Sequence, residues 1–418
     1  MKKLTDSLLS ITKTQTIKDA AVVTIGMGLS TVFSVVSIFI IARLLGPADF
    51  GLYTVALTIA IIVIDALDLA ISGSIVKFAS QRNSESNGFI KYGFNLKLLL
   101  GLVIGLLFAL LSQPLAGWLH PDLQKPLLVS SLFIPVIFLL RLPRSLLQAQ
   151  KKFLPDSALE VLGSLLRLIF VGGFYWLFKL TIITSLLAYL FGATTAFLIG
   201  ASLISWQFLK AKVTSKIKSR FFSFQKWLTL GFILAAVHSR IDTAILLRLS
   251  GPAVTGIYQA GFRFFMPAIQ LAAAMSLVFA PRFASFPNQV EAKTYLLKAA
   301  RLTLGLGALV LLIIPSAGFF ISLIFGSEYQ SAVLPTQILS LGFAAFVAGS
   351  PFVSHLVYST NRTKAFFLVN LLQLILVVGL DLILIPSYGA VGAAIAITLT
   401  LVIINGLLAG LALSFQKA

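Results

Sequence analysis

The stretch RLLGPADFGLY at Arg43–Tyr53 decides the fold, because it returns 205 residues later as RLSGPAVTGIY at Arg248–Tyr258. The offset is close to half of the 418 residues, so the chain reads as two copies of one unit. Each copy opens with a long apolar segment, this turn and a second long apolar segment. Seven of the eleven positions are identical in the two copies, namely Arg43/Arg248, Leu44/Leu249, Gly46/Gly251, Pro47/Pro252, Ala48/Ala253, Gly51/Gly256 and Tyr53/Tyr258.

The conserved residue types of this turn predict two helices that meet closely. Proline cannot continue an incoming helix, so the Gly-Pro pair predicts a helix end and a turn. A glycine four residues after the proline lets the next helix begin close to its neighbour. The repeated turn therefore indicates a helical hairpin at the start of each half.

The composition indicates an integral membrane protein. Hydrophobic residues make up 58% of the chain, charged residues 11%, and the mean hydropathy is +1.01. The apolar runs reach the roughly 20 residues that span a bilayer. The first run, about 20–42, is too long for a signal peptide and has no small-residue cleavage site after it, so we expect it to remain as a membrane span. The chain has no cysteine and only three histidines without ligand spacing, which argues against disulfide, thiolate or metal chemistry.

The apolar runs and the turn signals between them predict about twelve transmembrane helices. When the loops are assigned to alternate sides, 25 of the 32 basic residues fall on one side and only Arg43, Lys125, Lys179 and Arg248 on the other. The positive-inside rule then places both termini in the cytoplasm. The predicted spans are 19–43, 52–77, 92–112, 126–148, 157–178, 182–208, 227–249, 254–280, 296–325, 332–358, 364–385 and 389–414.

Six spans in each half is an even number, so the two repeats run parallel and a substrate site is expected between them. We expect an N-terminal lobe at 1–209, a basic cytoplasmic linker at 210–226 and a C-terminal lobe at 227–418. The linker, KAKVTSKIKSRFFSFQK, carries six basic residues with Phe221, Phe222 and Phe224 interleaved. This pattern favours an amphipathic segment on anionic membrane lipids over a nucleic-acid site.

The remaining three basic residues, Arg167, Arg240 and Arg263, fall inside predicted spans near mid-depth. A cation at the centre of a membrane helix costs about 3 kcal/mol on insertion scales, so each should face a cavity or a partner. Together they would form a basic chamber suited to a phosphate or a pyrophosphate. The alternative is that each arginine pairs with an acid and only holds helices together.

Four acids within the predicted spans are candidates for ion coupling or gating. Asp65 and Asp68 are three residues apart and share a helix face, and Glu160 and Asp242 lie near the intramembrane arginines in sequence. Ion pairing between helices is the alternative for all four. No nucleophile elbow, phosphate-binding loop or metal cluster appears, so no catalytic residue is predicted.

The chain resembles the bacterial polysaccharide and O-antigen flippases of the multidrug, oligosaccharidyl-lipid and polysaccharide exporter superfamily. The resemblance covers essentially the whole chain and depends on motifs in the family's order: the first turn, RID at Arg240–Asp242 with LSGPAVTGIYQAGFR after it, IFGSEY at Ile324–Tyr329, NRTKA at Asn361–Ala365 and IPSYGAVGAAIA at Ile385–Ala396. Span two departs from the family's DLGLS-like pattern, because DALDLAIS carries Asp65 in addition to the matching Asp68.

This resemblance implies an all-α polytopic membrane protein with two six-helix lobes around a central cationic cavity. It implies a flippase that moves an undecaprenyl-pyrophosphate-linked oligosaccharide to the outer leaflet by alternating access, coupled to protons or sodium and associated with a glycan polymerase and glycosyltransferases. It implies neither a cofactor nor an enzyme activity. The alternatives are a cation-coupled multidrug exporter of the same superfamily, which the excess of intramembrane arginines disfavours, and a membrane-embedded glycosyltransferase, which would need a larger outer loop.

Overall fold

The structure is a computed structural model that describes residues 15–81, 83–286, 289–358 and 363–414. Every secondary-structure element in these ranges is an α-helix or a 3-10 helix. The basic residues at 2, 3, 13, 82, 362 and 417 and the first two residues of the NRTKA motif lie outside the described ranges. Three short 3-10 helices occur at Pro121–Leu123, Trp206–Lys210 and Ser327–Ala332. The α-helices are α1 Gln15–Ala79, α2 Ser86–Leu119, α3 Gln124–Ser131, α4 Phe133–Ala149, α5 Phe153–Leu177, α6 Ile182–Ser202, α7 Ser215–His238, α8 Ile241–Arg263, α9 Met266–Ser285, α10 Gln289–Val310, α11 Ile313–Ile324, α12 Val333–Tyr358 and α13 Thr363–Ser414.

The helices confirm the expectation of an all-helical membrane protein. Among the described residues, eight helical segments are long and apolar enough to cross a membrane, or nine if α10 and α11, which are bent by 45° at their junction, count as one span. The longest segment, Ala21–Ala79, has 59 residues and would be about 90 Å long if straight, roughly three times the apolar thickness of a bilayer. Such a segment must contain more than one membrane crossing.

Non-helical glycines divide three of the long helices. Gly46 in α1 (φ 74°), Gly251 in α8 (φ 83°) and Gly389 in α13 (φ 53°) each mark a kink that joins two helices. A positive φ is costly for a residue with a Cβ, which is why glycine occupies these corners. All three lie where the sequence predicts a turn, so the repeated Gly-Pro motif ends a helix as expected. The total of twelve spans stays a prediction.

The chain divides into two compact units. The N-terminal unit contains residues 1–38, 63–112 and 125–232, and the C-terminal unit contains residues 39–62, 113–124 and 233–418. The two units group residues that are close together in space, whereas the predicted lobes at 1–209 and 227–418 are defined by the sequence repeat. The division into these two lobes stays a prediction.

In the C-terminal unit, the two copies of the repeated turn pack against each other. A Cβ at Gly51 would collide with the carbonyl oxygen of Pro252, and a Cβ at Gly256 would collide with the carbonyl oxygen of Pro47. The contact is reciprocal, as expected for two repeats related by an approximate two-fold axis. The second glycine of each motif therefore allows the turn of one repeat to touch the turn of the other.

Helix α8 is itself a hairpin around Gly251. The Tyr258 hydroxyl donates a hydrogen bond of 2.6 Å to Asp242 Oδ2, and Gln259 Nε2 donates one of 2.7 Å to Thr243 Oγ1. Each bond joins residues that are 16 apart in sequence, so the two arms of α8 lie side by side. A buried core of Leu246, Tyr258, Phe265, Leu339, Phe343 and Ile385 surrounds this hairpin.

The N-terminal unit has its own apolar core, and the predicted linker contributes to it. Ile217 and Phe221, within 210–226, are buried against Ile71, Ile75 and Phe89. Phe222, in contrast, is exposed. The start of α7 is therefore amphipathic, with one face fixed to the N-terminal unit.

Candidate functional site

A polar pocket of about 210 Å³ opens within the N-terminal unit, between residues from α1, α4, α5 and α6. Three arginines and one acid line it, together with small polar and apolar side chains. The volume is below the roughly 300 Å³ at which most small-molecule sites begin, so this pocket fits a charged fragment and not an oligosaccharide. The polar residues that line it are Ser30, Ser34, Arg141, Arg144, Glu160, Ser164, Arg167 and Tyr189.

Arg141, on α4, is held by both acids of the second predicted span. Its Nη2 lies 2.6 Å from Asp65 Oδ1, and its Nη1 lies 3.5 Å from Asp68 Oδ2. The guanidinium is three-quarters buried, and Asp68 is fully buried. For these two aspartates, the structure shows ion pairing between helices, which was the alternative to a coupling role.

Lys97 extends this network into the core. It is fully buried on α2, and its ammonium group forms a very short contact with Asp68 Oδ1 and donates a 2.8 Å hydrogen bond to Ser72 Oγ. Ser72 also donates to Asp68 Oδ2 at 2.9 Å. A buried ammonium ion needs such partners because its desolvation costs several kcal/mol. The pairing explains why this lysine, which the charge count assigned to a cytoplasmic loop region, lies inside the protein instead.

Arg144, one helical turn after Arg141, joins α4 to α5. Its Nε donates to Asp156 Oδ1 at 2.8 Å, and its Nη2 donates to Glu160 Oε2 at 2.8 Å. Gln148 Nε2 donates to the other Asp156 oxygen at 2.9 Å. Asp156 and Glu160 are four residues apart on α5 and so present both carboxylates to one guanidinium. Glu160, too, is ion-paired between helices.

Arg167 is the pocket arginine that has no carboxylate within 4 Å in the described ranges. It lies on α5, with its guanidinium carbon 5.0 Å from the centre of the Tyr189 ring. Its Nε is buried and has no hydrogen-bond partner among the described residues. A guanidinium offers five N–H donors, and cation–π contact with tyrosine leaves them available. Arg167 is therefore placed to bind an anion that enters the pocket.

The other two predicted cavity arginines belong to the C-terminal unit. Arg240 lies at the N-cap of α8 and donates through Nη1 to Ser239 Oγ at 3.3 Å, and Arg263 is the last residue of the same helix. Because α8 folds back at Gly251, both residues lie at the open end of the hairpin, at similar distances from the turn. The structure brings Arg240 and Arg263 to a common level within this unit. The three-arginine chamber stays a prediction.

Asp242 is one of two buried acids in the C-terminal unit that interact electrostatically, and sequence reasoning missed the second. The Asp242 carboxylate accepts hydrogen bonds from the Tyr258 hydroxyl at 2.6 Å and from the Thr243 backbone N–H at 2.7 Å. Asp381, on α13, is fully buried and lies within electrostatic range of both Asp242 and Tyr258. Neither Asp381 oxygen has a hydrogen-bond partner in the part of the chain that the structure describes. Two buried carboxyls within electrostatic range disfavour a second negative charge, so the pair is suited to hold a proton or a monovalent cation.

The sequence analysis missed polar residues of two kinds. Lys97, Arg141 and Arg144 lie inside the predicted spans 92–112 and 126–148, but the charge count groups them with the loops and helix ends. The structure places them inside helices α2 and α4, where each has a carboxylate partner. Asp381 could have been found from sequence, because it is the one charge in the apolar run VVGLDLILIP. A lone charge inside such a run is expected to face the protein interior, where it pairs or serves a function.

Comparison with known proteins agrees with this architecture. The family model described as "Polysaccharide biosynthesis protein" matches residues 16–286. The lipopolysaccharide biosynthesis protein WzxC of Escherichia coli (strain K12) is 26% identical over 397 residues, which cover 92% of this chain and 77% of that protein. The putative O-antigen transporter of Shigella flexneri is 22% identical over 387 residues, covering 89% of this chain and 91% of that protein.

Solved structures with the same fold include two transporters. The lipid II flippase MurJ in an inward closed conformation superposes with a TM-score of 0.80 at 18% identity, covering 94% of this chain and 87% of that chain. An inward-facing multidrug resistance transporter of the MATE family superposes with a TM-score of 0.74 at 15% identity, covering 92% of this chain and 93% of that chain. At these identities the likeness shows the shared fold.

Proposed function

The chain belongs to the polysaccharide biosynthesis protein family, and on that premise we propose that it flips an undecaprenyl-pyrophosphate-linked oligosaccharide across the bacterial plasma membrane by alternating access. Its relatives include a lipopolysaccharide biosynthesis protein and a putative O-antigen transporter, so the proposed cargo is a precursor of a cell-surface polysaccharide. The chain acts as a multi-pass membrane transporter and not as an enzyme. The proposed orientation places both termini in the cytoplasm, because basic residues gather on one side of the spans.

One observation carries the proposal: a membrane-embedded pocket whose cation Arg167 has no carboxylate partner in the described ranges. Phosphate oxygens accept charge-assisted hydrogen bonds from guanidinium groups, often two at a time. The neighbouring arginines, Arg141 and Arg144, are already bound by acids and hold the pocket wall in place. Arg167 is therefore the proposed contact for the pyrophosphate, while the isoprenoid tail stays in lipid.

Arg240 and Arg263 remain proposed contacts for the same headgroup. They lie at the open end of the α8 hairpin and supply the cations of the C-terminal unit at that level. The glycan itself is larger than the pocket around Arg167, so the pyrophosphate and not the sugar is the group this pocket would hold. This division explains how one cationic site could serve glycans of different structure.

Ion coupling is proposed for the acids of the C-terminal unit. Asp242 and Asp381 are both buried and lie within electrostatic range of each other, and Asp381 makes no hydrogen bond to another described residue. Binding a proton or sodium ion would relieve their repulsion, and its release would restore it. Asp65, Asp68 and Glu160 are also candidates for this role. Their salt bridges join helices, however, which makes them weaker candidates for ion coupling.

The proposal is tested by Arg167→Gln, with Arg301→Gln as the matched control. Arg301 is exposed on α10 and is not one of the residues that line the pocket. In a deletion strain that carries each variant, we measure lipid-linked oligosaccharide on the inner leaflet and polysaccharide at the cell surface. We expect Arg167→Gln to retain precursor inside and lower surface polymer by about tenfold or more, a change equal to about 1.4 kcal/mol. Wild-type export by an Arg167→Gln protein that is present at normal amounts would refute the assigned contact.

The alternative of a multidrug exporter has less support. Arg141 and Arg144 are paired with acids, so the pocket cation without a carboxylate partner in the described ranges is Arg167, which favours an anion over the cationic compounds that such exporters carry. The same deletion strain distinguishes the two functions, because a drug exporter would change resistance to cationic dyes while leaving lipid-linked oligosaccharide unchanged.

A further inference from the structure

A second pocket, in the N-terminal unit, has a chemistry that the proposed transport site does not use. It has a volume of about 700 Å³ and lies between the start of α2 and the segment that leads into α7. Four lysines line it, and none of its lining residues is acidic. The residues that the argument needs are Lys91, Asn95, Leu99, Lys210, Lys212 and Lys218.

These lysines are not neutralised by the nearest acid. Glu85 forms its salt bridges with Arg220 at 2.6 Å and Lys216 at 3.6 Å, and neither of these two cations lines the pocket. No carboxylate lies within 4 Å of the ammonium groups of Lys210, Lys212 or Lys218 in the ranges that the structure describes. Side chains of all three are exposed. The pocket is therefore a site of concentrated, uncompensated positive charge.

The segment that carries the lysines is fixed in place. Lys91 Nζ donates a 2.9 Å hydrogen bond to the carbonyl oxygen of Ala211, which ties the segment to α2. Phe208 and Ile217, which flank Lys210 and Lys212 in sequence, are buried in the core of the N-terminal unit. The cations are thus presented by an ordered segment and not by a free chain, which lowers the entropy lost when a ligand binds.

The character of the pocket changes along α2 from cationic to apolar. Lys91, Asn95 and Leu99 share one helix face, and Leu99 lies about 12 Å along the axis from Lys91. Beyond Leu99 the same helix continues as a stripe of exposed apolar residues, Leu102, Leu106 and Leu110, each more than half exposed. A phospholipid has the same order of parts, because a charged phosphate is followed by acyl chains.

We propose that this pocket, which we term the α2 lipid site, binds an anionic phospholipid through its phosphate, with an acyl chain along Leu99, Leu102 and Leu106. The lysines hold the phosphate at the level of the membrane surface, and the apolar stripe lies against the chain in the bilayer. By the positive-inside rule, the lipid is one of the cytoplasmic leaflet. The site is separate from the pocket around Arg167, and the proposal does not depend on the transported cargo.

The test compares Lys212→Gln/Lys218→Gln with the charge-matched control Lys293→Gln/Lys298→Gln. The control pair lies on α10, outside the pocket, and removes the same two charges. The full-length protein is purified in detergent and titrated with dioleoyl-phosphatidylglycerol or dioleoyl-phosphatidylethanolamine, and bound lipid is counted by native mass spectrometry. Elution volume and thermal unfolding confirm that each variant is folded.

We expect wild type and control to retain phosphatidylglycerol in preference to phosphatidylethanolamine, and the pocket variant to lose about tenfold in phosphatidylglycerol affinity. Equal affinity in the pocket variant and the control would overturn the site. A third measurement adds inorganic phosphate as a competitor. We expect it to compete only weakly, since it lacks the acyl chain, and displacement at concentrations similar to those of the lipid would overturn the role of the apolar stripe.

Discussion

The two units bury acidic residues in opposite ways. In the N-terminal unit, Asp68 and its neighbours are matched by cations, and Arg141 and Arg144 each bind two carboxylates. In the C-terminal unit, Asp242 is satisfied by a hydroxyl and backbone N–H, and Asp381 has no hydrogen bond within the described ranges. The acids of the first cluster are paired with cations, whereas the second cluster is the one that we propose accepts a cation or a proton.

This difference separates charges that are paired within the fold from an acid that has no hydrogen-bond partner among the described residues. A buried ion pair loses several kcal/mol of hydration and recovers it only through close, well-aligned partners. The network around Lys97 and Asp68 meets that requirement, so it stabilises the fold and has little reason to exchange ions. The desolvation cost of a buried acid without a partner is not offset unless a cation or a proton binds to it. A buried aspartate is therefore expected to stabilise the N-terminal unit but not the C-terminal unit. Substitutions in each unit, read out as changes in the free energy of unfolding, distinguish the two cases.

The largest effect is expected for Asp68→Asn. This change removes a buried carboxylate but leaves the ammonium group of Lys97 in the core, so we expect a loss of about 3–5 kcal/mol in unfolding free energy. The measurement is thermal or denaturant unfolding of the purified protein in detergent. The double variant Asp68→Asn/Lys97→Met should recover much of the loss, because it removes both charges. If the double variant is as unstable as Asp68→Asn, side-chain packing and not charge balance stabilises this part of the core.

A smaller effect is expected for Arg144→Gln. It leaves Asp156 and Glu160 without their shared cation, but the arginine side chain is 27% exposed, so water compensates in part. We expect a loss of about 1–3 kcal/mol in unfolding free energy. Lys298→Gln, on the exposed face of α10, serves as the control and should change stability by less than about 0.5 kcal/mol. Equal stability of both variants would mean that α4 and α5 are held together by apolar contacts alone.

The smallest effect on stability is expected for Asp381→Asn, the same chemical change as Asp68→Asn. Because Asp381 has no hydrogen-bond partner among the described residues, Asn should keep the unfolding free energy within about 1 kcal/mol of wild type or raise it. If the proposed coupling holds, transport by this stable protein should nonetheless fall. A loss of several kcal/mol would place Asp381 in a structural network like that of Asp68 and would remove the contrast between the units.

Sequence patterns predicted the helices and the turns well, because both depend on local chemistry. Apolar runs of spanning length identify membrane helices, and the Gly-Pro motif predicted the kinks at Gly46 and Gly251. The charges were harder to place. Arg167 stands out because it interrupts an apolar run, whereas Lys97 and Arg144 lie near the ends of such runs and are grouped with the loops and helix ends in the charge count.

The repeat, the membrane class and the arginines within the predicted spans follow from the sequence alone, because composition and periodicity are properties of residue order. Which charges are already neutralised depends on the tertiary structure. Asp68 meets Lys97 from 29 residues away, Arg141 meets Asp65 across 76, and Asp381, on α13, lies within electrostatic range of Asp242, on α8. Coulombic interaction and desolvation depend on distance and burial in space, which one sequence does not specify. For that reason, the choice between a structural ion pair and a binding site was made by the packing of the helices.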